Sequence, residues 1–205
     1  MTTRIISFYT LACILLTAVV VSCDNQAQSA NSSAYSPATT EVAEQPATTS
    51  ELPETESQQA ALSSEPATVV PDFTFYILRS GIQFTKADLA KTGNLVFILF
   101  DPTCSHCQHE ANHIGTHYNE VKDAHFYFVS MNDPALMSTF LETYAKPLVG
   151  KDNVELLYDK NAEFINKFHV PSQFPAVYVY GHDGLLKEYW DGERDIKEVI
   201  ASINK

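Results

Sequence analysis

Residues 95–100 (LVFILF) are uniformly apolar, Cys104 follows after three intervening residues, and Cys107 comes one helical turn after that. A continuous apolar run of this length, rich in branched and aromatic side chains, reads as a strand buried on both faces. Such a strand needs cover on both sides, which calls for a sheet with helices above and below. Asp101-Pro102-Thr103 turns the chain, and a helical pattern runs from Cys104 to about Val121. The remaining C-terminal sequence alternates in the same way. Residues 73–78 (FTFYIL) and the following IQF, separated at Ser80-Gly81, read as a hairpin. Residues 125–131 and 154–159 read as strands. Asp133 and Pro134 mark a helix start over DPALMSTFLETYAK, and residues 161–168 form a short helix. AVYVYG and LKEYW are strands joined at GHDG, and DIKEVIASI is a closing amphipathic helix. The expected fold is α/β: a central mixed sheet flanked by helices on both faces, with an N-terminal β-hairpin.

The N-terminal third does not share this pattern. Arg4 precedes an apolar run over residues 5–21, as in an export signal, although about 17 residues is also near the lower limit of a spanning helix. Val20, Val21, Ser22 and Cys23 resemble the bacterial lipobox. That resemblance implies lipid transfer to the Cys23 thiol and cleavage before it; an uncleaved anchor and ordinary secretion are the rival readings. Residues 24–70 are rich in Ser, Thr, Ala, Gln, Pro and Glu and contain no Lys or Arg. Such a segment buries too little apolar surface to offset its ordering entropy and reads as a disordered tether, with an end-to-end distance on the order of 35–40 Å. The expected organisation is a signal peptide over 1–22, a lipidated cysteine and acidic tether over 23–70, and a folded domain over 71–205. The expected location is the bacterial cell envelope, lipid-anchored to a membrane, with the domain facing the periplasm or exterior. Much of the net charge of −12 sits in the tether, leaving a mildly acidic domain that argues against nucleic acid as a partner.

This organisation limits what the four cysteines can do. Cys13 lies in the signal and Cys23 takes the lipid, so Cys104 and Cys107 work as a pair or not at all. A zinc site would need a second ligand pair, which only histidines could supply. A redox site needs the first cysteine at a strand-to-helix junction, where unpaired backbone N–H groups and the helix dipole favour an anion. The order strand, DPT turn, helix meets that requirement.

Together, LVFILF, CSHC and FHVPSQFPAVYVYGHDGLLKEYWDG resemble the thioredoxin superfamily. Within it, the export signal, lipid anchor, N-terminal hairpin and the insert over residues 133–159 resemble the TlpA/ResA-like (redoxin) thiol-disulfide oxidoreductases. The resemblance implies a thioredoxin-like fold, a redox-active Cys104–Cys107 disulfide and no further cofactor or resident metal. It places Pro175 as the cis-proline facing the pair, and Phe174 before it as a client contact or a packing residue. CSHCQHE matches that group's Cys-x-x-Cys-x-x-Glu pattern, so Glu110 is either a buried proton acceptor for Cys107 or a solvated helix carboxylate. Three departures stand out. Thr103 replaces the tryptophan common before the first cysteine, and Ile98 stands where cytoplasmic thioredoxins carry a buried aspartate. The spacing from Val170 to Pro175 is one residue longer than usual. The peroxiredoxin pattern does not fit around Cys104, which argues against a peroxidase.

The architecture favours a reductase. His106 between the cysteines pulls toward an oxidase or isomerase, because a positive charge beside Cys104 favours the reduced form. The implied partners are disulfides and thiols of envelope proteins, a membrane-embedded or soluble thiol electron donor, and the membrane itself through the lipid. His106, His109, His113 and His117 recur at three- and four-residue steps on one helical face, expected to be solvent-exposed, while Ala111, Ile114, Tyr118 and Val121 face the sheet. His113 and His117 are candidates for a copper, zinc or nickel pair, so a copper-handling protein is the rival from another class. Trp190 and Tyr189 read as sheet cover.

Overall fold

In the computed structural model, which describes residues 65–205, the apolar run forms strand β3 (Leu95–Leu99). Its side chains alternate between two cores. Val96, Ile98 and the following Phe100 point to one, and Leu95, Phe97 and Leu99 to the other, all of them buried. This period of two explains why a strand with cover on both faces shows no polar alternation. The other strands are β1 (Thr74–Ile77), β2 (Gln83–Thr85), β4 (His125–Ser130), β5 (Val154–Tyr158), β6 (Ala176–Tyr180) and β7 (Leu186–Asp191). They form one seven-stranded sheet in the order β2-β1-β5-β4-β3-β6-β7. The pairs β3–β4 and β4–β5 are parallel, while β3–β6, β6–β7, β1–β5 and the β1–β2 hairpin are antiparallel. The fold is the expected α/β thioredoxin-like mixed sheet.

The helices are α1 (Ser105–Thr116), α2 (Tyr118–Val121), α3 (Pro134–Met137), α4 (Phe140–Tyr144), α5 (Glu163–Lys167) and α6 (Ile196–Ile203). One core packs Ala111 and Ile114 of α1, Met137 of α3, Phe140 of α4 and Val199 of α6 against Val96, Ile98 and Phe100. The opposite core is aromatic: Phe73, Tyr127, Phe164, Phe168 and Tyr180 surround Phe97, with Phe164 and Phe168 stacked at 4.3 Å.

Three local expectations are corrected. The helix expected from Cys104 to about Val121 is two helices, α1 and α2, broken at His117, whose φ and ψ of −101° and 18° leave the helical region. The helix expected over DPALMSTFLETYAK is likewise split into α3 and α4. Asp133 caps α3 as expected, with Oδ1 accepting from Ala135 N at 2.7 Å, but Thr139 then departs to φ −105° and ψ 1°. Packed chain also begins before residue 71. Ala67 N donates to Phe168 O, Val70 N to Gly184 O, and Leu186 N to Thr68 O, with Val70 fully buried. The apolar pair Val69-Val70 thus belongs with the domain rather than the tether. The expected signal peptide, Cys23 and the rest of the tether lie outside the described residues. Among the described residues, no helix is long and apolar enough to cross a membrane.

Sheet register fixes where the site forms. Leu99 at the end of β3 pairs with Ala176 at the start of β6, and Ala176 pairs with Asp191 at the end of β7. The segments leaving β3, entering β6 and leaving β7 therefore emerge side by side at one end of the sheet.

Candidate active site

The turn after β3 is built by its own side chains. Asp101 Oδ1 accepts from both Thr103 N and Thr103 Oγ1 at 2.7 Å, and Cys104 N donates to Asp101 O at 3.1 Å. Gln108 Nε2 donates to Pro102 O at 3.0 Å, tying the first turn of α1 back to this loop. Cys104 occupies the N-cap of α1 with an extended backbone and makes no side-chain cap bond, so its sulfur is free to face outward. It is half-buried, and its thiol donates to the Phe174 carbonyl oxygen at 4.0 Å. Cys107, one turn into the helix, is buried in the core, and both cysteines are free thiols. Burial pushes the Cys107 thiol well above the ordinary range, and the adjacent Cys104 thiol adds to this.

Glu110, one further turn along α1, is only 1 % exposed. Neither carboxyl oxygen has a hydrogen-bond partner among the described residues. Desolvation pushes its pKa up to about 8, the Glu193 carboxylate adds to the rise, and the Arg194 guanidinium partly offsets it. Of the two readings of this residue, the structure contradicts the solvated one. Cys107, Glu110, Ala111 and Ile114 form a single buried stripe at helical spacing, and a carboxyl group interrupts it one turn after the inner thiol.

The loop over residues 170–175 closes the site from above. The Phe174–Pro175 peptide is cis, and Phe174 is 36 % exposed at its rim. Ser172 donates from both N and Oγ to Asp191 Oδ2 at 2.7 Å, and Gly192 N donates to Pro175 O at 2.7 Å. Both ends of the loop are thus fixed to the end of β7, which holds the Phe174 carbonyl over Cys104. Gly192 is required here: its φ is +76°, and a Cβ would stand 2.9 Å from Gln173 Oε1.

The histidine face is less uniform than its spacing implied. His106 and His109 are exposed, whereas His113 and His117 are half-buried and His113 Nδ1 is a buried atom without a hydrogen-bond partner among the described residues. His117 ends α1 and pairs with Glu120 at 2.7 Å. His106 Nδ1 lies 2.9 Å from Glu193 Oε2, and His109 Nδ1 lies 3.9 Å from the same atom. Among the described residues, no group of three or more His, Cys, Asp or Glu is arranged to hold a metal ion.

The structure therefore brings Cys104, Cys107, His106, Glu110, Phe174 and Pro175 together. Trp190 lies buried in the same core as Cys107, with the Arg194 guanidinium 4.7 Å above its ring. Sequence reasoning missed Asp191, Glu193 and Arg194. Nothing in their spacing marks them; only the register that carries β7 past the cis-proline loop does.

Comparison with known proteins agrees with this fold. The AhpC/TSA family profile matches residues 66–189. No curated protein matches the chain significantly. Among solved structures, the chain is similar to a secreted Mycobacterium tuberculosis disulfide oxidoreductase homologous to E. coli DsbE. The two are 23% identical over 64% of this chain and 93% of that one, with a TM-score of 0.52. It is also similar to the peroxidoxin BcpB of M. tuberculosis, 17% identical over 69% of this chain and 97% of that one, with a TM-score of 0.56. BsSco, a member of the Sco family of cytochrome c oxidase assembly proteins, is 17% identical over 69% of this chain and 95% of that one, with a TM-score of 0.52. At these identities the likeness establishes a common fold.

Proposed function

Because the chain belongs to the AhpC/TSA family, the redoxin branch of the thioredoxin superfamily, we propose that it is a thiol-disulfide oxidoreductase working through the Cys104–Cys107 dithiol. The observation that carries this reading is the asymmetry of the pair. Cys104 stands partly exposed at the start of α1 under the Phe174 carbonyl, while Cys107 is buried one turn in, with Glu110 a further turn along the same buried stripe.

In the reducing direction the Cys104 thiolate attacks one sulfur of a client disulfide. A Cys104–client S–S bond forms, the client S–S bond breaks, and the leaving client sulfur departs as a thiolate that takes up a proton. Cys107 then loses its proton to the Glu110 carboxylate and attacks Cys104 Sγ. The Cys104–Cys107 bond forms, and the second client sulfur leaves and is protonated. Two electrons and two protons pass from the dithiol to the client. With a pKa of about 8, Glu110 is mostly protonated at neutral pH, so its capacity to accept the Cys107 proton grows as pH rises toward 8. The Phe174 backbone beside the cis-proline lies where an extended client segment could pair with it. The proposed clients are disulfides of cell-envelope proteins. The domain would be held at the membrane through Cys23, and a thiol donor would re-reduce the pair. The preferred direction is reductive, with oxidation or isomerisation the alternative that His106 supports.

The test is Cys107→Ser in the full chain expressed in a bacterial envelope. Loss of the resolving thiol should accumulate mixed disulfides on Cys104, visible as reducible high-mass species on non-reducing gels and absent from Cys104→Ser/Cys107→Ser. An envelope with no trapped species, from a chain that is exported and folded, would refute an exchange role.

A further inference from the structure

Glu193 lies in the loop between β7 and α6, two residues beyond the Asp191 that anchors the cis-proline loop. Its Oε2 serves two imidazoles one turn apart on α1: it accepts from His106 Nδ1 at 2.9 Å and stands 3.9 Å from His109 Nδ1. The bond to His106 spans 87 residues of sequence and joins the dithiol helix to the far side of the cleft. That cleft, about 610 Å³, is lined by His106, His113, Gln173, Phe174, Glu193 and Arg194. The titratable groups that act on Glu193 are His106, His109 and His113 on α1; buried Glu110 on the same helix feels both Glu193 and the Arg194 guanidinium, which itself pairs with Glu188 at 3.1 Å. The Glu193 carboxyl is held below the usual range, first by its hydrogen bond with His106.

From this geometry we propose that Glu193 is a positioning residue for disulfide exchange. By accepting the Nδ1–H of His106 it fixes that ring at the mouth of the cleft, two residues from Cys104, so that the charge of the ring acts on the attacking sulfur. The proposal rests on the exchange function above and adds a residue to it that touches neither sulfur. An ordinary surface ion pair would not have this consequence. Two features separate Glu193 from one. The carboxylate is 30 % exposed while both rings are more than 60 % exposed, so the loop supplies the fixed partner and the ring is the part being held. The pair also lies on the wall of the cleft that carries Phe174, where a docked client would cover it and reduce solvent screening.

The experiment equilibrates the full chain in detergent with reduced and oxidised glutathione at pH 6. The fraction of Cys104–Cys107 disulfide is read by thiol alkylation and gel shift for wild type, E193A, E193Q, H106A and H106A/E193A. Freeing the ring removes stabilisation from the reduced form, so E193A should move the equilibrium toward the disulfide by about two- to five-fold. In the H106A background the same substitution should change it by less than about 1.5-fold, because its route of action is gone. E193Q keeps the acceptor and should fall between wild type and E193A; it carries the comparison should E193A fail to fold. Equal shifts in both backgrounds, no shift in either, or a shift toward the dithiol would overturn the proposal. A wild type that forms no Cys104–Cys107 disulfide at any glutathione ratio would refute the exchange function itself. A wild type that forms it with no response to Glu193 would overturn only the positioning role.

Discussion

Replacing Glu110 with glutamine should flatten the pH dependence of stability in the reduced protein. The folded state raises the Glu110 pKa from 4.5 to about 8, chiefly because the carboxylate would be buried without a partner. Between those two values the folded chain keeps the proton and the unfolded chain releases it. The unfolded state therefore binds fewer protons, and stability must fall as pH rises. Below pH 4.5 both states are protonated, and above about 8 both are ionised, so the slope is confined to the interval between. At about 1.4 kcal/mol per tenfold change in proton affinity, the loss across the interval reaches up to about 5 kcal/mol. Glutamine carries no ionisable proton and removes that slope. It leaves a constant cost, on the order of 1–3 kcal/mol, for a buried amide without partners. The Glu110→Gln protein should thus be the less stable of the two near pH 5 and overtake or match wild type by pH 9. Urea unfolding of both full-length proteins followed by Trp190 fluorescence, with the dithiol kept reduced, at unit pH steps from 5 to 9, gives the difference directly. Every other titrating group is common to both chains and cancels. Curves that stay parallel within about 0.5 kcal/mol across the range would refute the reasoning, since they would mean that Glu110 titrates alike in folded and unfolded chains.

Two further outcomes concern the cis-proline loop. Asp191→Asn weakens two hydrogen bonds to Ser172, so it should lower stability by about 1–2 kcal/mol and raise KM for a disulfide substrate more than it lowers kcat; an unchanged KM would mean that the anchor does not set the position of the Phe174 carbonyl. Gly192→Ala places a Cβ at φ +76° and 2.9 Å from Gln173 Oε1, so it should cost about 1–2 kcal/mol in urea unfolding and weaken exchange with protein disulfides; wild-type behaviour in both assays would show that the loop tolerates the shift.

Much of the fold was legible because its signals are local. The five residues of β3 point alternately into two cores, so an unbroken apolar run was the correct signature of a doubly covered strand. Asp133 and Asp195 cap their helices through a carboxylate accepting from the N–H two residues on, a bond between near neighbours that the sequence can display. The helix breaks were not legible. No proline marks His117 or Thr139, and Gly115, two residues before the first break, lies inside α1. Ser138 instead bonds back to Ala135 O, and α1 ends where Gly115 packs against Ala145 and Pro147, a contact with another part of the chain. The burial of Glu110 could have been read more firmly from its place between Cys107 and Ala111 in a stripe of helical period.

The electrostatic surroundings of the site follow a different rule, because they depend on register rather than on pattern. Leu99, Ala176 and Asp191 are paired neighbours on three adjacent strands. Whatever follows Leu99, precedes Ala176 or follows Asp191 must therefore meet at the same end of the sheet. The first of these segments carries Cys104, the second ends in Phe174-Pro175, and the third begins Gly192-Glu193-Arg194. A shift of one residue in β7 would turn Asp191 to the other face of the sheet and break the bonds to Ser172. The same shift would carry Glu193 away from His106 and relieve Glu110 of the neighbouring carboxylate that raises its pKa. In the proposed function the cysteine motif supplies the reacting sulfurs, while the pairing of β6 with β7 sets the charge around them. Two chains with the same motif and a different β7 register would therefore differ in their equilibrium with glutathione.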